Sequence, residues 1–183
     1  MRRPPDAIET QRLTLRRWSL GDTPALRVAL DRSDAHLRPW IPFMRHEPRS
    51  LEETRSWMVE IMADFDANRH YRYAVWLGAP AILVGEVMLL SRQGPGVLEL
   101  GYWIHVDHCG EGYATEASQA LVKLAFAGAI SEVVLLCDVE NEPSHAVARK
   151  LGAVDGGRER EVGSGGPVSL VRWQLRPAEI TEG

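Results

Sequence analysis

The sequence predicts a mixed α/β (α+β) domain with a largely antiparallel sheet, and three observations support this. Hydrophobic spacing along the 183 residues changes repeatedly between a period near two and a period near 3.6. Three strands in the middle of the chain are joined by short turns, as in an antiparallel meander. One nearly unbroken apolar run, Val133 to Val139, is typical of a central strand that is covered on both faces.

The first half of the chain predicts one strand and two helices. Alternation of Leu13 and Leu15 with polar residues predicts the strand over about 11–18. Each helix is preceded by a capping box, a serine followed three positions later by an acidic residue: Ser19 with Asp22 and Ser50 with Glu53. The second helix extends over about 51–67, and the proline-rich segment 36–48 between the helices predicts a packed loop.

The remaining elements are predicted from apolar runs and from the glycines and prolines at their ends. Strands are predicted over 71–77, 82–90, 97–106, 133–139, 154–161 and 168–175. One helix is predicted over 113–129, and another extends from Pro143 to the stop signal Leu151-Gly152. A turn over Gly163–Pro167 joins the last two strands.

Composition and charge argue against several classes of protein. A formal net charge of -4 provides no electrostatic basis for non-specific nucleic-acid binding. No apolar run reaches the roughly 20 residues that a membrane-spanning helix needs, and no export signal is visible. Two cysteines cannot build a disulfide scaffold or a four-cysteine zinc site. We therefore expect one cytoplasmic domain over 1–183 and no nucleic-acid, membrane or metal partner.

The loop from Cys109 to Ala114 contains two glycines and lies between the predicted strand 97–106 and the predicted helix 113–129. Glycine lets the backbone turn tightly and approach a ligand, and the helix start offers free N–H groups and a positive dipole. These features predict an anion site suited to pyrophosphate, with a plain turn as the alternative. The Walker ending Gly-Lys-Ser/Thr is absent, and Thr115 stands where the Rossmann motif has its third glycine.

A second unit, Asn141-Glu142-Pro143-Ser144, opens the helix that ends at Lys150-Leu151-Gly152. Taken alone, it is a turn and a helix cap. If strands 97–106 and 133–139 pair in parallel, a right-handed crossover brings both following loops to the same edge of the sheet. Two helix N-termini then face one cleft.

Three motifs in this order resemble the GCN5-related N-acetyltransferases (GNAT). They are Glu99-Leu100-Gly101-Tyr102-Trp103-Ile104, the loop Gly110 to Ala117, and the unit from Asn141 to Gly152. The similarity is greatest to the Rim-type ribosomal-protein N-terminal acetyltransferases, and the resemblance implies a domain core over about 9–175. The resemblance implies helices on both faces of a mostly antiparallel sheet, with strands 97–106 and 133–139 as a splayed parallel pair. It also implies acetyl-CoA as co-substrate and a primary amine as acceptor.

The resemblance assigns coenzyme contacts residue by residue. It implies that the main chain of Ile104, His105 and Val106 pairs with the pantetheine arm. Pyrophosphate would bind the loop amides, with Asn141 fixing the loop or contacting the coenzyme; the loop residues are Cys109, Gly110, Glu111, Gly112, Tyr113 and Ala114. Family members usually carry Arg or Gln at the position of Cys109, so weaker coenzyme binding is expected. A reactive Cys109 thiol, with its pKa lowered by the helix N-terminus, is the alternative.

Acetyl transfer requires a base for the amine, donors for the oxyanion and a partner for the departing sulfur. Glu99 is the candidate base because its strand leads to the coenzyme site, and Glu86 on the preceding strand is the reserve. Ser144 is the candidate acid or thiol contact that the Rim-type resemblance implies. Trp40 and Phe43 lie in the loop that walls the acceptor site in the family, with a role in covering the core as the alternative.

Three functions remain open from the sequence. The chain is an N-acetyltransferase for a small amine or aminoacyl compound, a protein N-terminal acetyltransferase, or a catalytically weak acetyl-CoA-binding sensor or interaction module. Cys109 keeps the third open, whereas Glu99 and Ser144 argue against it. Family members often dimerise, so the resemblance allows a homodimer. No residue pattern in the sequence bears on this.

Overall fold

The computed structural model describes residues 3–163 and 166–177, and within them eight strands form one sheet. The strands are β1 (Ala7–Glu9), β2 (Leu13–Arg17), β3 (His70–Leu77), β4 (Ile82–Leu90), β5 (Val97–Ile104), β6 (Glu132–Asp138), β7 (Val154–Gly163) and β8 (Gly166–Leu175). The helices are α1 (Thr23–Leu37), α2 (Leu51–Asp66), α3 (Tyr113–Ala127) and α4 (Glu142–Lys150). Every predicted helix and strand is present, with its ends shifted by a few residues at most.

The sheet is mixed but mostly antiparallel. Its strand order is β1-β2-β3-β4-β5-β6-β8-β7, and β5 and β6 form its parallel pair. Short turns connect β3, β4 and β5 as an antiparallel meander, whereas α3 makes the crossover from β5 to β6. The predicted fold class is confirmed.

The parallel pair is splayed. Its register joins Val97 to Glu132, Leu98 to Val133 and Glu99 to Val134, and no further pairing between β5 and β6 follows in the described residues. Beyond that point β6 stays paired with β8, from Val133 to Asp138. The carboxyl halves of β5 and β6 therefore separate, and a gap opens in the sheet where each strand leads into a helix N-terminus.

Helices cover both faces of the sheet, as predicted. One core cluster includes buried side chains of α3 and α4, such as Leu121, and the other includes those of α1 and α2, such as Leu30. Adjacent residues of β3 belong to different clusters: Tyr73 belongs to the first and Ala74 to the second. Successive strand residues point to opposite faces, so the two clusters lie on opposite sides of the sheet.

Some local features differ from the predictions. The sequence did not predict β1, because three residues are too short to show an alternating pattern. Segment 36–48 is not wholly irregular: Pro42–His46 forms a short 3-10 turn that buries Met44 completely. The end of β5 comes two residues early, since Val106–His108 forms another such turn. The predicted Gly163–Pro167 turn includes residues 164–165, which lie outside the described residues.

Among the described residues, no helix combines the length and the apolar character needed to cross a membrane.

Candidate active site

The loop between β5 and α3 has the backbone of an anion site. Gly110 and Gly112 have φ values of +84° and +81°, a region that favours glycine. Gly112 caps α3, and the N–H of Glu116 bonds to its carbonyl at 3.1 Å. The preceding N–H groups belong to the free first turn that a helix presents, where the helix dipole is positive.

Arg12 holds this loop against α3. The sequence does not predict this role. Its guanidinium donates to the Glu111 carbonyl at 2.9 Å and to Glu116 Oε2 at 2.7 Å. The Arg12 N–H and the Thr10 hydroxyl both donate to Glu116 Oε1. The guanidinium also lies 4.7 Å from the centre of the Tyr113 ring. Arg12 and Glu116 are 104 positions apart, so no local pattern could have joined them.

The end of β5 directs one main-chain donor into the splay. The N–H of His105 bonds to the Val84 carbonyl at 2.9 Å, and the N–H of Val106 bonds to Ser33 Oγ at 3.1 Å. Because main-chain groups of successive strand residues point to opposite sides, the N–H of Ile104 points away from β4 and toward β6. Among Ile104, His105 and Val106, which were predicted to contact pantetheine, Ile104 is therefore the residue whose N–H points into the gap.

Asn141 and Ser144 form the N-terminus of α4 on the other side of the gap. Asn141 is the N-cap, since its Oδ1 accepts the Ser144 N–H at 3.3 Å. Its carbonyl also accepts N–H groups from Ser144 and His145. The Ser144 side chain is close enough to Tyr102 of β5 to influence the pKa of that hydroxyl. The two predicted helix N-termini thus border the same gap.

Glu99 lies at the closed end of the splay, in the last residue pair between β5 and β6. It is only 5% exposed, and its carboxylate accepts hydrogen bonds from Arg92 and from Gln93 Nε2. Arg92 donates twice, so described side chains occupy three of about four acceptor positions. One position on Oε1 remains. Along the strand, Glu99 lies about 16 Å from Ile104.

Glu86 lies at the centre of the sheet face under α1 and α2 and is 1% exposed. Its carboxylate accepts the indole N–H groups of Trp18 at 2.7 Å and Trp103 at 2.9 Å. Arg72 adds two bonds, at 2.8 and 2.6 Å. Since a carboxylate has about four acceptor positions, Glu86 has none left for an incoming amine. This arrangement anchors the sheet face. It leaves Glu86 poorly suited to act as the reserve base.

An aromatic surface lies beside this anchor. Phe43 packs on Trp57 of α2 with ring centroids 5.1 Å apart, and the Arg72 guanidinium lies 5.0 Å from the Trp57 ring. Arg49 lies 4.5 Å from the same ring. Phe43 and Trp57 also pack against the α1/α2 core cluster, so Phe43 fits both roles that the sequence left open. Trp40 is half-buried after α1.

The surroundings of His105 and Cys109 shift the pKa of each side chain. Burial lowers the pKa of His105, whose Nδ1 accepts the Asp107 N–H at 3.1 Å and so shapes the turn. Partial burial and the nearby Asp107 charge raise the pKa of Cys109, whose sulfur lies 3.4 Å from His36 Nε2. This direction argues against the alternative of a low-pKa Cys109 thiol. Burial raises the pKa of Cys137 on β6 to about 12.

These shifts predict slow thiol chemistry. At pH 7.4, Cys109 should react with a disulfide reagent more slowly than free cysteine does, because less of it is thiolate. The rate should rise as the pH approaches the raised pKa. Cys137, which is buried, should react only after denaturation. Absorbance stopped-flow measures both rates, with C109S as the control, and a native rate above that of free cysteine would contradict the assignment.

A comparison with protein families identifies the family to which this chain belongs. A family model described as an acetyltransferase (GNAT) domain matches residues 12–154. The chain belongs to the GNAT acetyltransferase family. The match includes the splayed strands, the glycine loop and α4, so the predicted membership is confirmed and the protein is an N-acetyltransferase.

Two bacterial relatives resemble this GNAT protein in sequence, and the first is a ribosomal-protein acetyltransferase. It is 37% identical over 135 residues to a ribosomal-protein-serine acetyltransferase of Escherichia coli, covering 67% of this chain and 75% of that protein. It is 27% identical over 146 residues to the uncharacterised N-acetyltransferase YnaD of Bacillus subtilis, covering 79% of this chain and 81% of that protein. The Rim-type resemblance is therefore supported by sequence.

Solved structures share the fold of this GNAT protein. The microcin C7 self-immunity acetyltransferase MccE, solved with acetyl-CoA and AMP, has a TM-score of 0.86 at 18% identity. That match covers 95% of this chain and 98% of MccE. RimL, a ribosomal L7/L12 α-N-protein acetyltransferase solved with coenzyme A, has a TM-score of 0.85 at 22% identity over 93% of this chain and 97% of RimL.

Proposed function

We propose that this protein transfers the acetyl group of acetyl-CoA directly to a primary amine, with Glu99 as base and Ser144 near the thiol. The observation that carries the proposal is the gap between β5 and β6, bordered by two helix N-termini. Relatives of the same fold were solved with acetyl-CoA or coenzyme A, which supports this co-substrate.

The coenzyme would bind through main-chain groups. Pyrophosphate would be held by the amides of residues 110–114 at the start of α3, which explains why an acidic chain needs no basic surface for an anionic ligand. The pantetheine arm would enter the gap, with the Ile104 N–H as donor to the thioester oxygen. Cys109 supplies no charge, so the loop amides and the helix dipole carry the phosphate interaction.

The reaction needs an unprotonated amine. Glu99 would take the amine proton through a chain of water molecules, because it lies about 16 Å along β5 from Ile104, too far for direct contact or for a single bridging water. As the amine attacks, the thioester oxygen gains negative charge, which the Ile104 N–H would stabilise. The C–S bond then breaks, and Ser144 would lie near the departing sulfur.

The acceptor class proposed first is an α-amine, as in an aminoacyl compound or a protein N-terminus. An α-amine has a pKa of about 7.7–8.0, against about 10.4 for a lysine side chain, so it loses a proton far more easily near neutral pH. The E. coli relative named as a ribosomal-protein-serine acetyltransferase supports the same class. A cytoplasmic location and a homodimer remain proposals.

A thiol-release assay tests the function. Purified protein is mixed with acetyl-CoA and a panel of small amines, aminoacyl amides and N-terminal peptides, and free CoA is followed by absorbance. Transfer to α-amines with little transfer to lysine side chains is the expected result. Tight acetyl-CoA binding with no release for any acceptor would instead favour the alternative, a catalytically weak acetyl-CoA-binding sensor or interaction module.

Ser144→Ala should slow acetyl transfer while acetyl-CoA still binds. The Asn141 cap accepts the Ser144 backbone N–H, which alanine keeps, so the start of α4 should remain folded. We expect a fall in kcat of about tenfold, the scale of one lost hydrogen bond in a transition state. Steady-state kinetics with calorimetric acetyl-CoA binding measures this, and activity within twofold of wild type would reduce Ser144 to a structural residue.

A further inference from the structure

Tyr102 carries a buried hydroxyl for which the proposed mechanism has no role yet. The residue lies on β5 beyond Glu99, the last residue of β5 that pairs with β6. The hydroxyl is buried, and its contact with the Ser144 side chain falls outside full hydrogen-bond geometry, so no described residue gives it a well-formed hydrogen bond. Buried polar groups without a partner are uncommon in native proteins because desolvating them is unfavourable. Such a group at a ligand gap suggests that the ligand supplies the partner.

The surroundings of the hydroxyl place it in the gap itself. Ser144 of α4 and Cys137 of β6 both lie close enough to influence the pKa of Tyr102. The hydroxyl, carried by β5, therefore faces elements on the far side of the splay. Burial raises the pKa of Tyr102 well above its usual value, while the hydrogen-bonding contact with the Ser144 side chain lowers it. At neutral pH the hydroxyl keeps its proton and can donate a hydrogen bond.

The other tyrosines of the same sheet face have partners. The Tyr73 hydroxyl donates to the Pro5 carbonyl at 2.7 Å, and the Tyr71 hydroxyl donates to the Asn68 carbonyl at 3.3 Å. Both belong to the core cluster against which Tyr102 packs. If Tyr102 only filled space there, phenylalanine would do so without burying an unpaired hydroxyl.

We propose that Tyr102 is a further catalytic residue whose hydroxyl donates a hydrogen bond to the thioester sulfur of acetyl-CoA. The inference rests on the proposed function, since it requires acetyl transfer within the splay. The amine nitrogen forms a bond to the carbonyl carbon, and the C–S bond breaks with its electron pair on sulfur. Tyr102 keeps its proton and stabilises the thiolate. The proton lost by the amine passes through Glu99 and solvent, and CoA leaves as the thiol.

Binding of CoA and of desulfo-CoA, which lacks the sulfur, tests this contact without knowledge of the acceptor. Wild type should bind CoA more tightly, and Tyr102→Phe should reduce that preference about three- to tenfold, the value of one hydrogen bond. Affinity for desulfo-CoA should not change. With an amine acceptor, kcat should fall about tenfold while KM for acetyl-CoA stays within twofold.

Tyr73→Phe is the matched control. It removes a hydroxyl that has a partner, so it should lower Tm and leave the preference for CoA intact. Tyr102→Phe should fold with an unchanged or higher Tm, because it removes a buried hydroxyl that has no well-formed hydrogen bond. A Tyr102→Phe protein with the wild-type CoA preference and kcat would overturn the role of Tyr102 alone. A wild-type protein that binds neither ligand would overturn the proposed function as well.

Discussion

Replacing Glu86 with alanine should lower the free energy of unfolding by about 3–5 kcal/mol, the usual effect of breaking a buried charge pair. The carboxylate joins three parts of the chain, through Trp18 after β2, Arg72 on β3 and Trp103 on β5. Without it, two indole N–H groups and a largely buried guanidinium lose their acceptor. Because whole domains are stable by only about 5–15 kcal/mol, the effect should be large.

Urea unfolding measures the change in stability from the midpoint and slope. Asp31→Ala is the matched control, since the Asp31 carboxylate is exposed, its loss leaves Arg27 paired with Glu47, and the pair should contribute no more than about 1 kcal/mol. A Glu86→Ala loss below that of the control would show that the network does not anchor the sheet. The double variant with Arg72→Ala should lose less than the sum of the single variants, because the two side chains are coupled.

Replacing Glu99 with glutamine should lower kcat by about 100-fold, within the range for a lost general base. Glutamine keeps an oxygen for Arg92 but cannot take the amine proton, so the fold should persist while the reaction slows. The rise of activity with pH that the base causes should also disappear. Steady-state rates of CoA release across a pH series measure both effects.

Glu159→Gln controls for the loss of a charge on the same sheet. Glu159 lies on β7 and pairs with Arg172, whose guanidinium also contacts Gln93, a hydrogen-bond partner of Glu99. Because Glu159 has no role in the proposed reaction and Gln93 keeps its bond to Glu99, this variant should keep kcat near the wild-type value. An unchanged pH profile in Glu99→Gln would reject Glu99 as the base, and equal losses in both variants would indicate a general electrostatic effect.

The helices, the strands and the glycine loop could be predicted from the sequence because the patterns that indicate them lie within a few residues. The Ser50 capping box, for example, involves residues three positions apart, and the structure shows both of its hydrogen bonds. The Ser19 box is also present, although it begins a short 3-10 turn before α1. Positive φ at Gly110 and Gly112 likewise follows from the glycines themselves.

The candidate site was only partly predictable. The sequence pointed to Glu99 and Ser144, but their neighbours Arg92 and Tyr102 were not singled out for any role. The sequence offers Glu86 as a reserve base because its strand precedes that of Glu99. Whether a carboxylate on a strand is free or fully bonded depends on side chains from other strands, and these are unknown until the register is known.

The sequence by itself determined the order of the elements, the crossover that creates two facing helix N-termini and the family. Each follows from spacing within a few residues or from short motifs. The tertiary structure alone decided that Arg12 holds the loop through Glu116, that Glu86 is an anchor and that the Tyr102 hydroxyl is buried beside Ser144. These contacts join residues far apart in the chain, so they exist only once the strands have paired in register.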